Sequence, residues 1–112
     1  MADAGKSVVA LTADMIFAAR IRGAAPHVVL ARDVKDLLTR VAETKPDLVV
    51  LDMDRRGLDV RGTVEQLKAA GIEVLCYVSH VREDLISEAK EAGADRVMAR
   101  GSFANKIADL LR

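Results

Sequence analysis

Apolar positions along the chain follow two periods in alternation. Short continuous runs occur at Val8–Leu11, Val28–Leu30, Leu48–Leu51, Val74–Val78 and Val97–Ala99. Runs without polar interruption suit strands that are covered on both faces, as in a parallel sheet. Between them lie segments with helical spacing. Val34, Leu37, Leu38, Val41 and Ala42 form an i, i+3, i+4, i+7, i+8 stripe, opened by Asp33 as an N-cap. The spacing repeats at Val64 and Leu67, at Leu85, Ile86 and Ala89, and at Phe103, Ile107, Leu110 and Leu111. Thr63 followed by Gln66 has capping-box spacing, and Gly71 and Gly93 stand where helices are expected to end.

Five strands alternating with five helices, joined by right-handed crossovers, predict a parallel sheet with helices on both faces. The expected fold is α/β, a flavodoxin-like (βα)5 three-layer sandwich with strand order 2-1-3-4-5. One domain is expected over residues 7–112, after an N-terminal tail at 1–6. In such a fold the functional crevice lies at the carboxyl ends of the strands. The segments to inspect are therefore 12–14, 31–33, 52–57, 79–82 and 100–102.

Composition narrows the partners. The chain has 112 residues with 17 basic and 17 acidic side chains, and this balance argues against nucleic acid, which needs a basic surplus. Only three aromatic residues are present, Phe17, Tyr77 and Phe103, so a base-stacking platform is not expected. Apolar residues reach 51%, which excludes disorder, yet no run is long enough to span a membrane. No apolar signal segment precedes Ser7, and a cytoplasmic protein is expected. Cys76, alone and mid-strand, reads as a small buried hydrophobe. His27 and His80 lack metal-spaced partners and read as surface or turn residues. Gly5-Lys6-Ser7 precedes a strand and lacks the upstream glycine of a P-loop. Asp52-x-Asp54-x-x-Gly57 lacks the histidine of the cobalamin-binding pattern.

Two segments carry a resemblance. Pro46-Asp47-Leu48-Val49-Val50-Leu51-Asp52-Met53-Asp54 resembles the third strand of a response-regulator receiver domain, which ends in the phosphate-accepting aspartate. Glu91-Ala92-Gly93-Ala94-Asp95-Arg96-Val97-Met98-Ala99-Arg100-Gly101-Ser102-Phe103 is similar to the stretch leading through the fifth strand into the fifth helix. The resemblance implies that Asp52 is the phosphoacceptor position, and that Ser79 and Arg100 stand where the family contacts the bound phosphoryl group. It also implies a magnesium site, for which this chain offers Asp14, Asp52 and Asp54 as weak ligands.

The chain departs from the family pattern at several of these positions. Thr12-Ala13 replace the acidic pair after the first strand, with Asp14 one step late. Arg100 replaces the lysine, Gly101 the following proline, and Val97 the aromatic of the fifth strand. One carboxylate holds magnesium poorly, and a guanidinium fork is not a compact ammonium. Asp52 also suits a turn cap or an ion pair with Arg100, and Ser79 also suits an N-cap for the fourth helix. Asp14-Met15-Ile16-Phe17-Ala18-Ala19-Arg20-Ile21 is apolar nearly all round, which either buries the first helix or leaves Met15 and Ile16 outside.

The expected function is a non-enzymatic signalling module, a stand-alone pseudo-receiver that acts through protein contacts without phosphorylation. The alternative is a genuine two-component phosphoacceptor modified on Asp52 with an atypical metal site. A small flavodoxin-like ligand-binding protein or enzyme stands third. No cofactor beyond weak magnesium, no nucleic acid and no membrane are expected. The partner is another protein or a second copy, through the α4-β5-α5 face with Arg82, Glu83, Asp84, Lys90, Arg96 and Lys106, or through the first helix. An Arg100–Asp52 pair is expected to fill the crevice.

Overall fold

A computed structural model describes residues 6–78 and 82–111. Its elements alternate as read: β1 Val8–Leu11, α1 Met15–Ala24, β2 Val29–Leu30, α2 Val34–Thr44, β3 Leu48–Asp52, α3 Val60–Ala69, β4 Glu73–Val78, α4 Glu83–Ala92, β5 Arg96–Ala99 and α5 Arg100–Leu111. The strands form one sheet in the order β2-β1-β3-β4-β5 with every pairing parallel, the expected flavodoxin-like order. Among the described residues, no helix is long and apolar enough to cross a membrane.

The period-2 alternation of the strands sorts the core into two layers. Val9, Leu11, Val49, Leu51, Val74, Cys76 and Val78 point to the side covered by α2, α3 and α4. Val8, Ala10, Leu48, Val50, Leu75 and Tyr77 point to the other side, where Phe17 and Ile21 of α1 meet Phe103, Ile107 and Leu111 of α5. Cys76 is fully buried, and burial, with the nearby Asp95 charge, pushes its thiol up to about 12. His27 is exposed in a turn, while Ser79 and His80 lie outside the described residues.

Helix boundaries follow the caps. Asp33 accepts from Asp36 N at 2.7 Å and opens α2 as expected. α3 starts earlier than the Thr63–Gln66 spacing suggests. Its N-cap is Asp59, accepting from Gly62 N at 3.0 Å, and Thr63 is a buried mid-helix residue. The expectation at Thr63 is thereby corrected: the helix is opened four residues earlier by Asp59, which takes the first-turn donor Gly62 N, and Thr63 is buried. Gly62 leaves that carboxylate its room, because a Cβ there would meet Asp59 Oδ2 at 2.4 Å. Gly93, at φ 104°, ends α4 as expected, and Gly71 follows the α3 cap Ala70 at φ 79°.

One polar junction fixes the start of β4 against β5. Asp95 Oδ2 accepts from Lys68 Nζ at 2.7 Å and from Val74 N at 2.8 Å, while Asp95 N donates to Val74 O at 2.9 Å. Burial works to raise the Asp95 carboxyl, but the Lys68 and Val74 donors overcome it and hold it below 3.8. A depressed folded value means the contribution is complete above about 3.8 and is lost as pH falls through the folded pKa. Asp95→Asn is therefore expected to cost about 1 kcal/mol at pH 7. The gap from wild type should narrow in urea titrations as pH falls through that depressed folded pKa. A gap that stays constant over that range would contradict the charge-assisted role.

Candidate functional site

Parallel register brings the carboxyl ends of β1, β3 and β5 to one edge of the sheet. There an open cavity of about 510 Å³ is lined by Ala13, Asp14, Met15, Ile16, Asp52, Asp54 and Arg100. The convergence of Asp52 and Arg100 on one edge is as the sequence suggests. Ser79, expected beside them, lies outside the described residues.

Asp52 ends β3 and is 3% exposed. Local donors satisfy its carboxylate: Asp54 N reaches Oδ1 at 2.9 Å, while Thr12 Oγ1 at 3.2 Å and Ala13 N at 3.5 Å reach Oδ2. An ionised carboxylate only accepts, so the Thr12 hydroxyl must donate to it. Thr12 Oγ1 in turn accepts from Tyr77 Oη at 2.8 Å and from Asp14 N at 3.1 Å. The result is a fully satisfied relay from Tyr77 through Thr12 to Asp52. Burial raises the Tyr77 phenol above its ordinary value, the Asp52 charge adds to this, and the Thr12 hydrogen bond opposes it.

The expected pairing of Arg100 with Asp52 is corrected by the geometry. Arg100 Nη2 instead pairs with Asp14 Oδ2. Arg100 is the first residue of α5, and its guanidinium carbon lies 4.2 Å from the centroid of the Phe17 ring in α1. That ring is in the first turn of the helix Asp14 caps, so the fork laid over it meets Asp14. Asp14 Oδ1 accepts from Ile16 N at 2.8 Å and Phe17 N at 3.2 Å. Both oxygens of Asp14 are thus engaged, one by the helix end and one by Arg100.

Beneath the site the chain's three aromatic rings gather. Phe17 stacks on Tyr77 with centroids 5.1 Å apart, Tyr77 on Phe103 at 4.8 Å, and Phe17 and Phe103 tilt together at 5.9 Å. The scarcity of aromatics hides this cluster from a composition-level reading. Period-2 alternation in β4 is the signal that could have found it, since it puts Tyr77 on the α1/α5 side. Among the described residues no buried side-chain nitrogen or oxygen lacks a partner, and no three His, Cys, Asp or Glu side chains gather in metal-holding geometry.

The half-buried Asp14–Arg100 pair should show energetic coupling. In a double-mutant cycle with Asp14→Asn and Arg100→Gln, read by urea unfolding, we expect an interaction of about 1 kcal/mol. Arg100→Lys should recover only part of it, because an ammonium lacks the planar fork. Strict additivity would contradict the pairing.

No protein-family model matches the chain. The curated relatives are response regulators. The response regulator protein VraR of Staphylococcus epidermidis is 31% identical over 80 residues, and that of Staphylococcus saprophyticus 28% over the same length. Each match takes in 70% of this chain but 38% of the relative, so the chain spans little more than a third of their length. Among solved structures, the phosphorylated cyanobacterial phytochrome response regulator RcpA superposes with a TM-score of 0.77 at 18% identity, over 96% of this chain and 89% of that one. The signal receiver domain from Bermanella marisrubri gives 0.76 at 19% identity, over 95% and 98%. The solved neighbours are receiver domains and the curated relatives response regulators; the resemblance read from the third strand and the Glu91–Phe103 stretch holds, and in fold the chain is a response-regulator receiver domain.

Proposed function

We propose that the chain is a non-enzymatic, receiver-type signalling module that works through protein contacts and is independent of phosphorylation. One observation carries this reading: Arg100, at the position where the family keeps its phosphoryl-binding lysine, is held by Asp14. Phosphoryl transfer to a carboxylate needs positive charge on the transferring oxygens. A guanidinium already paired with an internal carboxylate supplies little of it.

The metal implied by the family fits the site poorly. Magnesium demands near-octahedral oxygen donors and gives up water reluctantly. Of the three offered carboxylates, Asp14 is divided between the α1 end and Arg100, and Asp52 already accepts three local hydrogen bonds. A cation would have to displace these partners. The same engagement disfavours the alternative reading, in which Asp52 is a phosphoacceptor.

Protein contact then carries the signal. On the α4-β5-α5 face, Arg82, Glu83, Asp84, Lys90, Arg96 and Lys106 are all exposed. Part of that charge is answered within the fold, Arg82 by Asp84 at 3.6 Å. Mixed charge of this kind steers association and sets specificity more than it adds affinity.

Intact-mass spectrometry after incubation with an acyl phosphate and magnesium tests the reading. We expect no phosphoryl adduct on wild type and none on Asp52→Asn. An adduct on wild type that is lost in Asp52→Asn would overturn the reading and establish Asp52 as a phosphoacceptor.

A further inference from the structure

The helices that follow β2 and β3 run back to the amino edge of the sheet, opposite Asp52. There the last turns of α2 and α3 flank a groove of about 500 Å³. Its floor is the core itself, Val41, Leu67 and Ile72, with half-buried Leu38 beside them. Among the described residues that line it, Gln66 on α3 and Lys45 at the end of α2 are polar, and Lys45 alone is ionisable. A mostly apolar cleft of this size with a few placed polar groups is the usual form of a small-molecule site.

Lys45 is held in an uncommon backbone. Its φ of 46° lies in the left-handed region, alone among the described non-glycine residues. Gly93 ends α4 at φ 104° and Gly71 follows the α3 cap at φ 79°, so two other helices of this chain leave through glycine, which has no Cβ to clash. A lysine there is strained, and Pro46 behind it restricts the backbone further. The Lys45 backbone N–H donates to Val41 O at 2.9 Å, a bond that glycine would make equally well. Its ammonium has no hydrogen bond or ion pair among the described residues. The negative end of α2 favours a cation at this point but supplies no full charge to pair with it. Asp47, the carboxylate two residues on, is committed to Ser7, at 2.9 Å from N and 3.2 Å from Oγ. What this position keeps, against its backbone preference, is the lysine side chain beside the groove.

We infer that the α2/α3 groove binds a small amphiphilic acid, its apolar body on Val41, Leu67 and Ile72 and its anionic group on the Lys45 ammonium and the Gln66 amide. An apolar floor with a lone ammonium at its rim complements that chemistry, and it repels a cation. The groove lies at the far edge of the sheet from Asp52. The inference therefore goes beyond the contact-based reading above and holds whether or not Asp52 is modified.

Anilinonaphthalene sulfonate serves as the probe, because phenylnaphthylamine is the same dye without the sulfonate. Fluorescence titration of the full chain should show saturable one-to-one binding of the sulfonate dye below about 1 mM. Lys45→Gln should weaken it about tenfold and change the neutral dye less than about twofold. Lys45→Gly should weaken it equally while unfolding at no lower urea concentration than wild type, since glycine relieves the left-handed backbone. Ala42→Phe, at an exposed position in the groove lining, should weaken both dyes more than about tenfold by filling the space. Far-UV circular dichroism of all three variants should match wild type. Four results would overturn the proposal: no saturation up to about 1 mM, sulfonate binding indifferent to both Lys45 changes, binding indifferent to Ala42→Phe, or a site lost as the protein is concentrated, which would seat a second copy in the groove.

Discussion

Asp14 holds the guanidinium of Arg100 across the ring of Phe17, and this contact joins the N-terminal ends of α1 and α5. The strands that precede these helices do not touch, since β3 and β4 lie between β1 and β5 in the sheet. The two helices meet because both cover the same face, where Phe17 and Ile21 pack against Phe103 and Ile107. The ion pair is therefore the polar lid of an apolar contact, with the stacked Phe17, Tyr77 and Phe103 rings below it. A partly buried charge pair is retained cheaply only when its remaining lone pairs are used. Asp14 meets that condition by capping α1 with its other oxygen.

A receiver edge normally gathers negative charge that a bound cation then balances. Here the same edge is balanced from within, by a guanidinium for Asp14 and by hydroxyl and amide donors for Asp52. The two carboxylates are kept in separate networks that meet at Thr12, whose hydroxyl donates to Asp52 and accepts from Asp14 N. Tyr77 extends the Asp52 network down to the aromatic stack, and Arg100 lies on the top of that stack. A change at the edge would thus be felt first where α1 and α5 meet.

The fold was legible because β-branched runs and helical stripes alternate without interruption, and because Asp33 and Gly93 mark ends that no other residue contests. Thr63 misled because its Ser/Thr-x-x-Gln spacing is shared by a buried mid-helix threonine, while Asp59 holds the true cap. Asp52 and Arg100 were legible as edge residues from their position after β3 and β5. Their partners were not, because pairing depends on how α1 packs on α5, over a separation of more than eighty residues between Asp14 and Arg100. The Tyr77–Thr12–Asp52 relay spans three strands and has no local signature. The exposure of Met15 and Ile16 was one of two readings of an all-apolar helix, and packing chose between them.

The central claim is that internal partners occupy the donors a divalent cation would need. Amide NMR of the wild-type chain during a magnesium titration measures this directly, through the signals of Ala13, Asp14, Asp54 and Arg100. The account predicts no saturable shift at these amides up to about 10 mM magnesium, and unchanged spectra for the Phe17 and Phe103 amides. Saturable, stoichiometric shifts at these residues at or below about 1 mM would contradict it and show that the ion displaces Arg100 from Asp14.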